Sequence, residues 1–131
     1  MDFLAKDYPL QQETYQIIGI CMEVHKILGR GFLEIVYKDA IEQELRSKKI
    51  PYGREVEYVV PYKGVILPHK FYADFVVFDS VILEVKAQKA LPEEFDALVL
   101  NYLTVSENEV GLLVNFGDAS LKYKRYINSN W

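Results

Sequence analysis

The stretch that decides the fold is HKFYADFVVFDSVILEVKA, residues 69–87. Two apolar runs of strand type are separated there by a short Asp-Ser break, which predicts a β-hairpin. Asp74 interrupts the first run, and Glu84 and Lys86 interrupt the second. Because successive side chains point to opposite faces of a strand, Glu84 and Lys86 lie on the same face.

The length of the hairpin loop decides what faces Asp74. A three-residue loop at 78–80 places Asp74 opposite Glu84, whereas a two-residue loop at 79–80 places it opposite Val85. Loops of both lengths are common in hairpins. The first register predicts that two carboxylates and an amine share one face of the sheet.

Such a set of groups has two interpretations. Carboxylates hold Mg²⁺ through hard oxygen ligands, and the metal polarises a phosphoryl oxygen and lowers the pKa of a bound water. A lysine beside them can orient the water or offset charge on the phosphate, which together makes phosphodiester hydrolysis possible. A plain Glu–Lys or Asp–Lys pair on a solvated sheet face gives the same pattern and is, from composition alone, the more ordinary interpretation.

The rest of the chain predicts an α/β fold. Apolar residues recur at helical spacing in three segments, and shorter apolar or alternating runs predict three further strands. The predicted helices span about 10–28, 32–48 and 91–105, and the further strands span 54–62, 110–116 and 121–127. Helices alternate with strands, so we expect one sheet covered by helices on both faces.

Composition narrows the class of protein. The 131 residues fit one domain spanning 1–131, and half of them are hydrophobic. The net charge of −4 counts against a broad, non-specific nucleic-acid surface, but it leaves room for a local basic groove. The single cysteine, Cys21, excludes an internal disulfide, favours a reducing compartment and lies in an apolar stripe, so we interpret it as a core residue. Since neither a signal peptide nor an apolar run of about 18 residues is present, we expect a cytoplasmic protein with no membrane contact.

Two motifs carry a family resemblance. Asp74, followed after nine residues by Glu84-Val85-Lys86, resembles the PD-(D/E)XK nuclease superfamily, with Ala73 where the superfamily's name has proline. GFLEIVY, residues 31–37, matches G-x-x-E-x-x-Y and is similar to the opening of the GxxExxY family.

The closing segments extend this resemblance. LNYL at 100–103 and GLLVNFG at 111–117 are similar to the last segments of the GxxExxY family. The resemblance therefore covers residues 14–127, nearly the whole chain.

The resemblance implies a restriction-endonuclease-like fold, with a mixed β-sheet flanked by helices. It implies that Asp74, Glu84 and Glu34 hold Mg²⁺ or Mn²⁺ and that Lys86 is the catalytic lysine. The implied activity is metal-dependent cleavage of nucleic acid, and we favour DNA over RNA as the substrate. Glu34 also has an ordinary interpretation, since a carboxylate in the first turn of a helix is stabilised by the helix dipole.

One departure supports a rival interpretation. Many related nucleases have Gln four residues before a Tyr on the helix after the lysine strand, but here Leu98 precedes Tyr102. Leu98 fits the apolar stripe of that helix, and we predict a core position for it. Its lack of a polar group and the negative net charge favour a catalytically weak or inactive domain that binds nucleic acid or a protein partner. In either case the short chain leaves little room for target recognition, which a homodimer or a second protein would supply.

Basic residues near the predicted site are candidates for phosphate contacts. Lys89 follows the lysine strand, and the segment LKYKRY places Lys122, Lys124 and Arg125 between tyrosines. Such interleaving is typical of protein surfaces that bind nucleic-acid strands, but a charged edge strand that resists aggregation has the same pattern.

Overall fold

The computed structural model describes residues 9–128, and its elements follow the predicted order with one extra hairpin. The helices are α1 (Gln11–Leu28), α2 (Glu34–Ser47) and α3 (Glu94–Ser106). The strands are β1 (Tyr52–Tyr58), β2 (Pro61–Tyr62), β3 (Val65–Ile66), β4 (Phe71–Val77), β5 (Val81–Lys86), β6 (Val110–Asn115) and β7 (Lys122–Ile127). No helix in this part of the chain is long and apolar enough to cross a membrane.

Five strands form one mixed sheet in the order β1-β4-β5-β6-β7. β5 and β6 are parallel and are joined through α3, whereas the other neighbouring pairs are antiparallel. The α/β fold with a mixed sheet is therefore confirmed.

The predicted strand 54–62 is wrong as a single element. β1 starts earlier, at Tyr52, and ends at Tyr58, and only Pro61 and Tyr62 of the remaining residues pair, as β2 of the β2–β3 hairpin. Proline lacks an N–H donor and is tolerated at the first residue of a strand, which fits Pro61 at the start of β2.

Apolar clusters cover both faces of the sheet. α1 and α2 pack on one face, where odd-numbered β5 residues such as Leu83 and Val85 are fully buried. α3 packs on the other face, against Ile82 and Leu113. Cys21 is buried in the first cluster, so its predicted core position is confirmed.

The β4–β5 hairpin has the register that the site requires. Phe75 pairs with Leu83 and Val77 with Val81, which leaves a three-residue loop at 78–80. The ladder ends at the Phe75–Leu83 pair, so Asp74 and Glu84 are the next residues along the two strands. The sheet thus brings both predicted carboxylates to the point where β4 and β5 separate.

Candidate active site

The side chains of Asp74 and Glu84 each accept a hydrogen bond from a backbone N–H of the neighbouring strand. The backbone N–H of Asp74 donates to Glu84 Oε2 at 2.8 Å, and the backbone N–H of Val85 donates to Asp74 Oδ2 at 2.8 Å. The two carboxyl groups thus take the place of backbone acceptors beyond the end of the ladder. Both residues are buried, with 8% of Asp74 and 4% of Glu84 exposed.

Burial makes the Glu84 carboxyl group a weaker acid than usual. Removal from water and the nearby charge of Asp74 raise its pKa to about 8, although the Asp74 N–H bond and the charges of Lys86 and Lys38 act in the opposite direction. Two carboxylates held this close repel each other when both are ionised. An arrangement of this kind favours a bound cation over a second negative charge.

Lys86 lies beside the acids without forming an ion pair with them. It has the same strand parity as Glu84 and Ile82, and its Nζ lies 4.7 Å from the centroid of the Phe95 ring on α3. Within residues 9–128, no ion pair joins Lys86 to Glu84 or Asp74. The alternative of a solvated Glu–Lys pair is therefore wrong, because Glu84 is buried and Lys86 contacts an aromatic ring.

Asn115, for which the sequence predicted no role, fixes the segment after Lys86. Its side chain accepts the Gln88 N–H at 2.9 Å and donates to the Gln88 carbonyl at 2.8 Å. It also accepts the Gly117 N–H, and a Cβ at Gly117 would lie 2.1 Å from the Gln88 carbonyl oxygen. The close approach of these two backbones requires glycine at 117. An amide side chain as the last residue of an otherwise apolar strand was the signal that could have revealed this clamp.

The G-x-x-E-x-x-Y segment forms the turn that places Glu34. Gly31 has a φ of 109°, in the region that favours glycine. The Tyr37 hydroxyl donates to the Gly29 carbonyl at 2.6 Å and accepts the Phe32 N–H at 3.2 Å. The turn is thereby tied to the first helical turn of α2, where Glu34 is the first residue.

Glu34 approaches the acids from α2. Partial burial raises its pKa; the charge of Lys86 lowers it, and that of Asp74 raises it. Glu34 Oε2 lies 4.0 Å from Lys38 Nζ, which in turn lies 3.0 Å from Asp74 Oδ1, so Glu34 is close to the strand acids. The structure therefore brings together all four residues that the resemblance implies: Glu34, Asp74, Glu84 and Lys86.

Two further charged residues belong to this cluster. Lys38 Nζ donates to Glu55 Oε1 at 2.9 Å and to Asp74 Oδ1 at 3.0 Å, and it lies 4.0 Å from Glu34 Oε2. Burial alone would lower the pKa of Lys38, but hydrogen bonds to Glu55 and Asp74 and their charges raise it. Lys38 is therefore a buried, protonated amine held among three carboxylates.

Glu55 reaches this position through an unusual backbone conformation. In the β1–β4 register Arg54 faces Phe75 and Val56 faces Ala73, which puts Glu55 opposite Asp74. Its φ of 54° is left-handed, a conformation that costs a residue other than glycine about 1–3 kcal/mol. The spacing of Lys38 from Glu34 could have indicated the lysine, but Glu55 requires the β1–β4 register, which sequence alone does not provide.

The donor atoms fit a hard divalent cation. Asp74 and Glu84 offer carboxylate oxygens, the ligand type that Mg²⁺ and Mn²⁺ prefer. Among the residues that the structure describes, no group of three or more His, Cys, Asp or Glu side chains is arranged to hold a metal. The fit therefore rests on the Asp74–Glu84 pair, with Glu34 alongside.

The basic candidates divide between two places. Lys89, Lys122 and Lys124 line one cavity of about 430 Å³, together with Tyr123. Lys124 also forms an ion pair with Asp96 at 3.2 Å. Arg125 does not join this group, because its guanidinium donates to the Pro9 carbonyl.

A second cavity connects Lys89 with the turn that precedes Glu34. It measures about 610 Å³, and its lining includes Arg30, Phe32, Gln88 and Lys89. Its walls come from the α1–α2 turn and from the segment directly after Lys86. A basic and partly aromatic groove therefore adjoins the acidic cluster.

Leu98 differs from its predicted core position. It is half-buried and lines a separate cavity with Phe71 and Tyr102, whereas Val99 and Leu103 fill the core under α3. Tyr102 stacks on Phe71, and burial followed by the charges of Glu84 and Asp74 raises its pKa to about 12. Leu98 thus faces a groove that it shares with Tyr102.

Comparison with known proteins identifies the class. The model of the PD-(D/E)XK nuclease superfamily matches residues 11–126, so the chain belongs to this superfamily. Its nucleases generally use divalent metal ions.

One similar solved structure is "Crystal structure of SSO0001", with 19% identity and a TM-score of 0.58. The match covers 72% of this chain and 50% of that one, so the chain spans about half the length of that protein. At this identity the likeness shows the fold alone. No curated protein matches the chain.

Proposed function

We propose that this protein is a metal-dependent nuclease that hydrolyses phosphodiester bonds, with DNA as its substrate rather than RNA. The observation that carries the proposal is the pairing of Asp74 and Glu84, two buried carboxyl groups bonded to each other's strands where the sheet opens. Burying two acids side by side destabilises a fold, and such a cost is typical of functional sites. The narrower GxxExxY family and a cytoplasmic location belong to the same proposal.

Each residue of the cluster has a proposed role. Asp74 and Glu84 would hold Mg²⁺ or Mn²⁺, and Glu34, the first residue of α2, would be the additional acid beside this pair. The cation supplies Lewis-acid chemistry at the phosphoryl oxygen. Lys86 either orients the attacking water or offsets charge that grows on the phosphate. Its position over the Phe95 ring leaves the amine free of any carboxylate ion pair within the described residues, so it is available for either role.

The basic grooves give the substrate a proposed path. Lys89 lines both cavities and lies three residues after Lys86. Lys122 and Lys124 lie on one face of β7 and extend the positive charge along it. Arg125 binds the Pro9 carbonyl and has no place in this path.

The test is cleavage of labelled single- and double-stranded DNA and RNA with Mg²⁺ or Mn²⁺, with and without chelator. We expect cation-dependent products from the wild type and none from Asp74→Asn. Glu57→Gln is a matched control, because Glu57 is an exposed strand acid paired with Lys70 outside the cluster. Products that persist in chelator, or in Asp74→Asn, would contradict the proposal.

A second candidate function is nucleic-acid or protein binding without catalysis. It is favoured by Leu98, which gives an apolar wall to the groove that it shares with Tyr102, at the position where related nucleases have Gln. The same assay separates the two functions, since this candidate predicts retention of labelled strands without products. A homodimer or a second protein that supplies specificity is compatible with either function.

A further inference from the structure

We infer that the cavity between the α1–α2 turn and the segment after Lys86 binds an unpaired nucleotide of the substrate strand. The base stacks on the ring of Phe32, and the phosphate lies between Arg30 and Lys89. This inference rests on the proposed function, because it assumes that the acids beside the cavity cut nucleic acid. It goes further by naming a residue that binds a base and the kind of strand that the protein accepts.

The cavity has the size and the lining of a nucleotide site. Its volume of about 610 Å³ lies within the range of roughly 300–1,000 Å³ that is typical of ligand pockets. Three lining residues have at most a methyl side chain and leave the space open: Gly31, Ala87 and Gly117. Among the residues that the structure describes, the lining includes two cations and an aromatic ring but no acid.

The turn does not explain why residue 32 is aromatic. The Tyr37 hydroxyl holds the turn through the backbone N–H of Phe32, which any residue except proline would supply. The two rings lie at 83° to each other, so Tyr37 contacts Phe32 without stacking on it. Because 47% of Phe32 is exposed, its ring is accessible to a ligand in the cavity. Every base has a π-face, so such a ring accepts any base.

Two exposed cations lie on the two walls of the cavity. Arg30 belongs to the α1–α2 turn, and Lys89 belongs to the segment after β5. Within residues 9–128, neither side chain forms an ion pair. A guanidinium group can bind a phosphate with two parallel hydrogen bonds, and an ammonium group binds it as a point charge. A phosphate between them would give both cations a partner.

Both walls of the cavity continue into the acidic cluster. Ala87 directly follows Lys86, and Phe32 precedes Glu34 by two residues. A base inside a duplex is stacked and paired, so it must leave the helix before it can stack on a protein ring. The substrate strand is therefore unpaired where it crosses the cavity, next to the phosphate that is cut.

Fluorescence anisotropy in chelator, which prevents cleavage, measures the binding of a short labelled DNA strand alone and in a blunt duplex. Thermal melts first establish that each variant is folded. We expect Phe32→Leu to bind the single strand about tenfold more weakly than the wild type and the duplex equally. Tyr15→Leu is the matched control, because Tyr15 is an exposed aromatic residue that lines a different cavity, and it should bind like the wild type.

Aminopurine, a fluorescent base analogue, reports stacking directly. Its fluorescence in the single strand should fall when the wild type or Tyr15→Leu binds, and it should stay high when Phe32→Leu binds. Arg30→Gln should weaken the binding of the strand several-fold and retain the quenching at saturation, because it removes a phosphate contact and keeps the ring. Arg30 is exposed, so this variant tests the cavity even if Phe32→Leu does not fold.

Unquenched aminopurine bound to the wild type would overturn the inference without any variant. Equal binding of the single strand by the wild type and folded Phe32→Leu, or by the wild type and Arg30→Gln, would also overturn it. Neither result touches the proposed nuclease, which is decided by cleavage with Mn²⁺. Quenching that depends on Phe32 in a protein that cuts no nucleic acid would refute the nuclease and support the nucleotide site alone.

Discussion

Replacing Glu84 with Gln should stabilise the metal-free protein in a pH-dependent way. Glutamine has the shape of glutamate, and its carbonyl oxygen can still accept the Asp74 N–H that Glu84 Oε2 accepts at 2.8 Å. The substitution therefore removes a buried negative charge with little change in packing. The charge is costly because Glu84 is 4% exposed and faces Asp74.

The size of the expected stabilisation follows from the raised pKa of Glu84. Burial and Asp74 raise its pKa from 4.5 to about 8, which corresponds to about 5 kcal/mol at roughly 1.4 kcal/mol per pKa unit. A raised pKa means that the folded protein binds the proton more tightly than the unfolded chain. This contribution to stability is fully present below pH 4.5 and is lost as the pH rises through 8. Glutamine does not titrate, so the variant does not lose this stability as the pH rises.

Urea denaturation in chelator at about pH 5 and about pH 9 measures this difference. We expect wild type and Glu84→Gln to agree within about 1 kcal/mol at the lower pH, where most folded wild type is protonated at Glu84. At the higher pH the variant should be more stable by about 2–5 kcal/mol. Glu44→Gln, in an exposed pair with Lys48, should shift stability by less than about 0.5 kcal/mol at both pH values. A Glu84→Gln variant destabilised by roughly 3–5 kcal/mol at both pH values would instead indicate a buried structural ion pair and refute the reasoning.

Three further changes test separate parts of the structure. Asn115→Ala should lower the free energy of unfolding by about 1–3 kcal/mol, since the Gln88 N–H and carbonyl and the Gly117 N–H lose their partner. Asn101→Ala, at an exposed helix position, should change it by less than about 0.5 kcal/mol, and equal urea midpoints would contradict the clamp. Tyr37→Phe should cost about 1–3 kcal/mol in the same measurement, because the Gly29 carbonyl and the Phe32 N–H lose their partner, and an unchanged midpoint would show that the hydroxyl does not hold the turn. The double variant Lys89→Ala with Lys122→Ala should weaken DNA binding. The slope of the logarithm of the binding constant against the logarithm of salt concentration should become shallower by about 0.9 for each phosphate that is no longer neutralised. An unchanged slope would show that these lysines do not contact the DNA strand.

The hairpin could be predicted from the sequence because all the residues that determine it lie close together in the chain. Two apolar runs, a short polar break and the alternation of Glu84 and Lys86 are all visible within residues 69–87. The loop length was the open variable, and the three-residue loop that the structure has puts Asp74 opposite Glu84. The opening motif was also readable, since Gly31 and Tyr37 act within one turn and the helix that follows it.

The contacts of Lys38 with Glu55 and Asp74 could not be predicted in the same way. Glu55 meets Asp74 only through the β1–β4 register, and Lys38 meets both only because α2 packs over that part of the sheet. The predicted grouping of Arg125 with its neighbours had a local counter-signal. Lys124 and Arg125 are adjacent on a strand, so their side chains point to opposite faces.

Cleavage by wild type beside Lys86→Ala at saturating Mn²⁺ tests the central claim most directly. The lysine is not a proposed metal ligand, so the variant should bind Mn²⁺ like the wild type. Lys70→Ala, at an exposed lysine paired with Glu57, is the matched control. The proposed mechanism predicts products from wild type and Lys70→Ala and none from Lys86→Ala, because Lys86, unlike Lys70, lies beside the proposed metal ligands. Equal cleavage by wild type and Lys86→Ala, or no cleavage of any nucleic acid by a wild type that binds Mn²⁺, would contradict it.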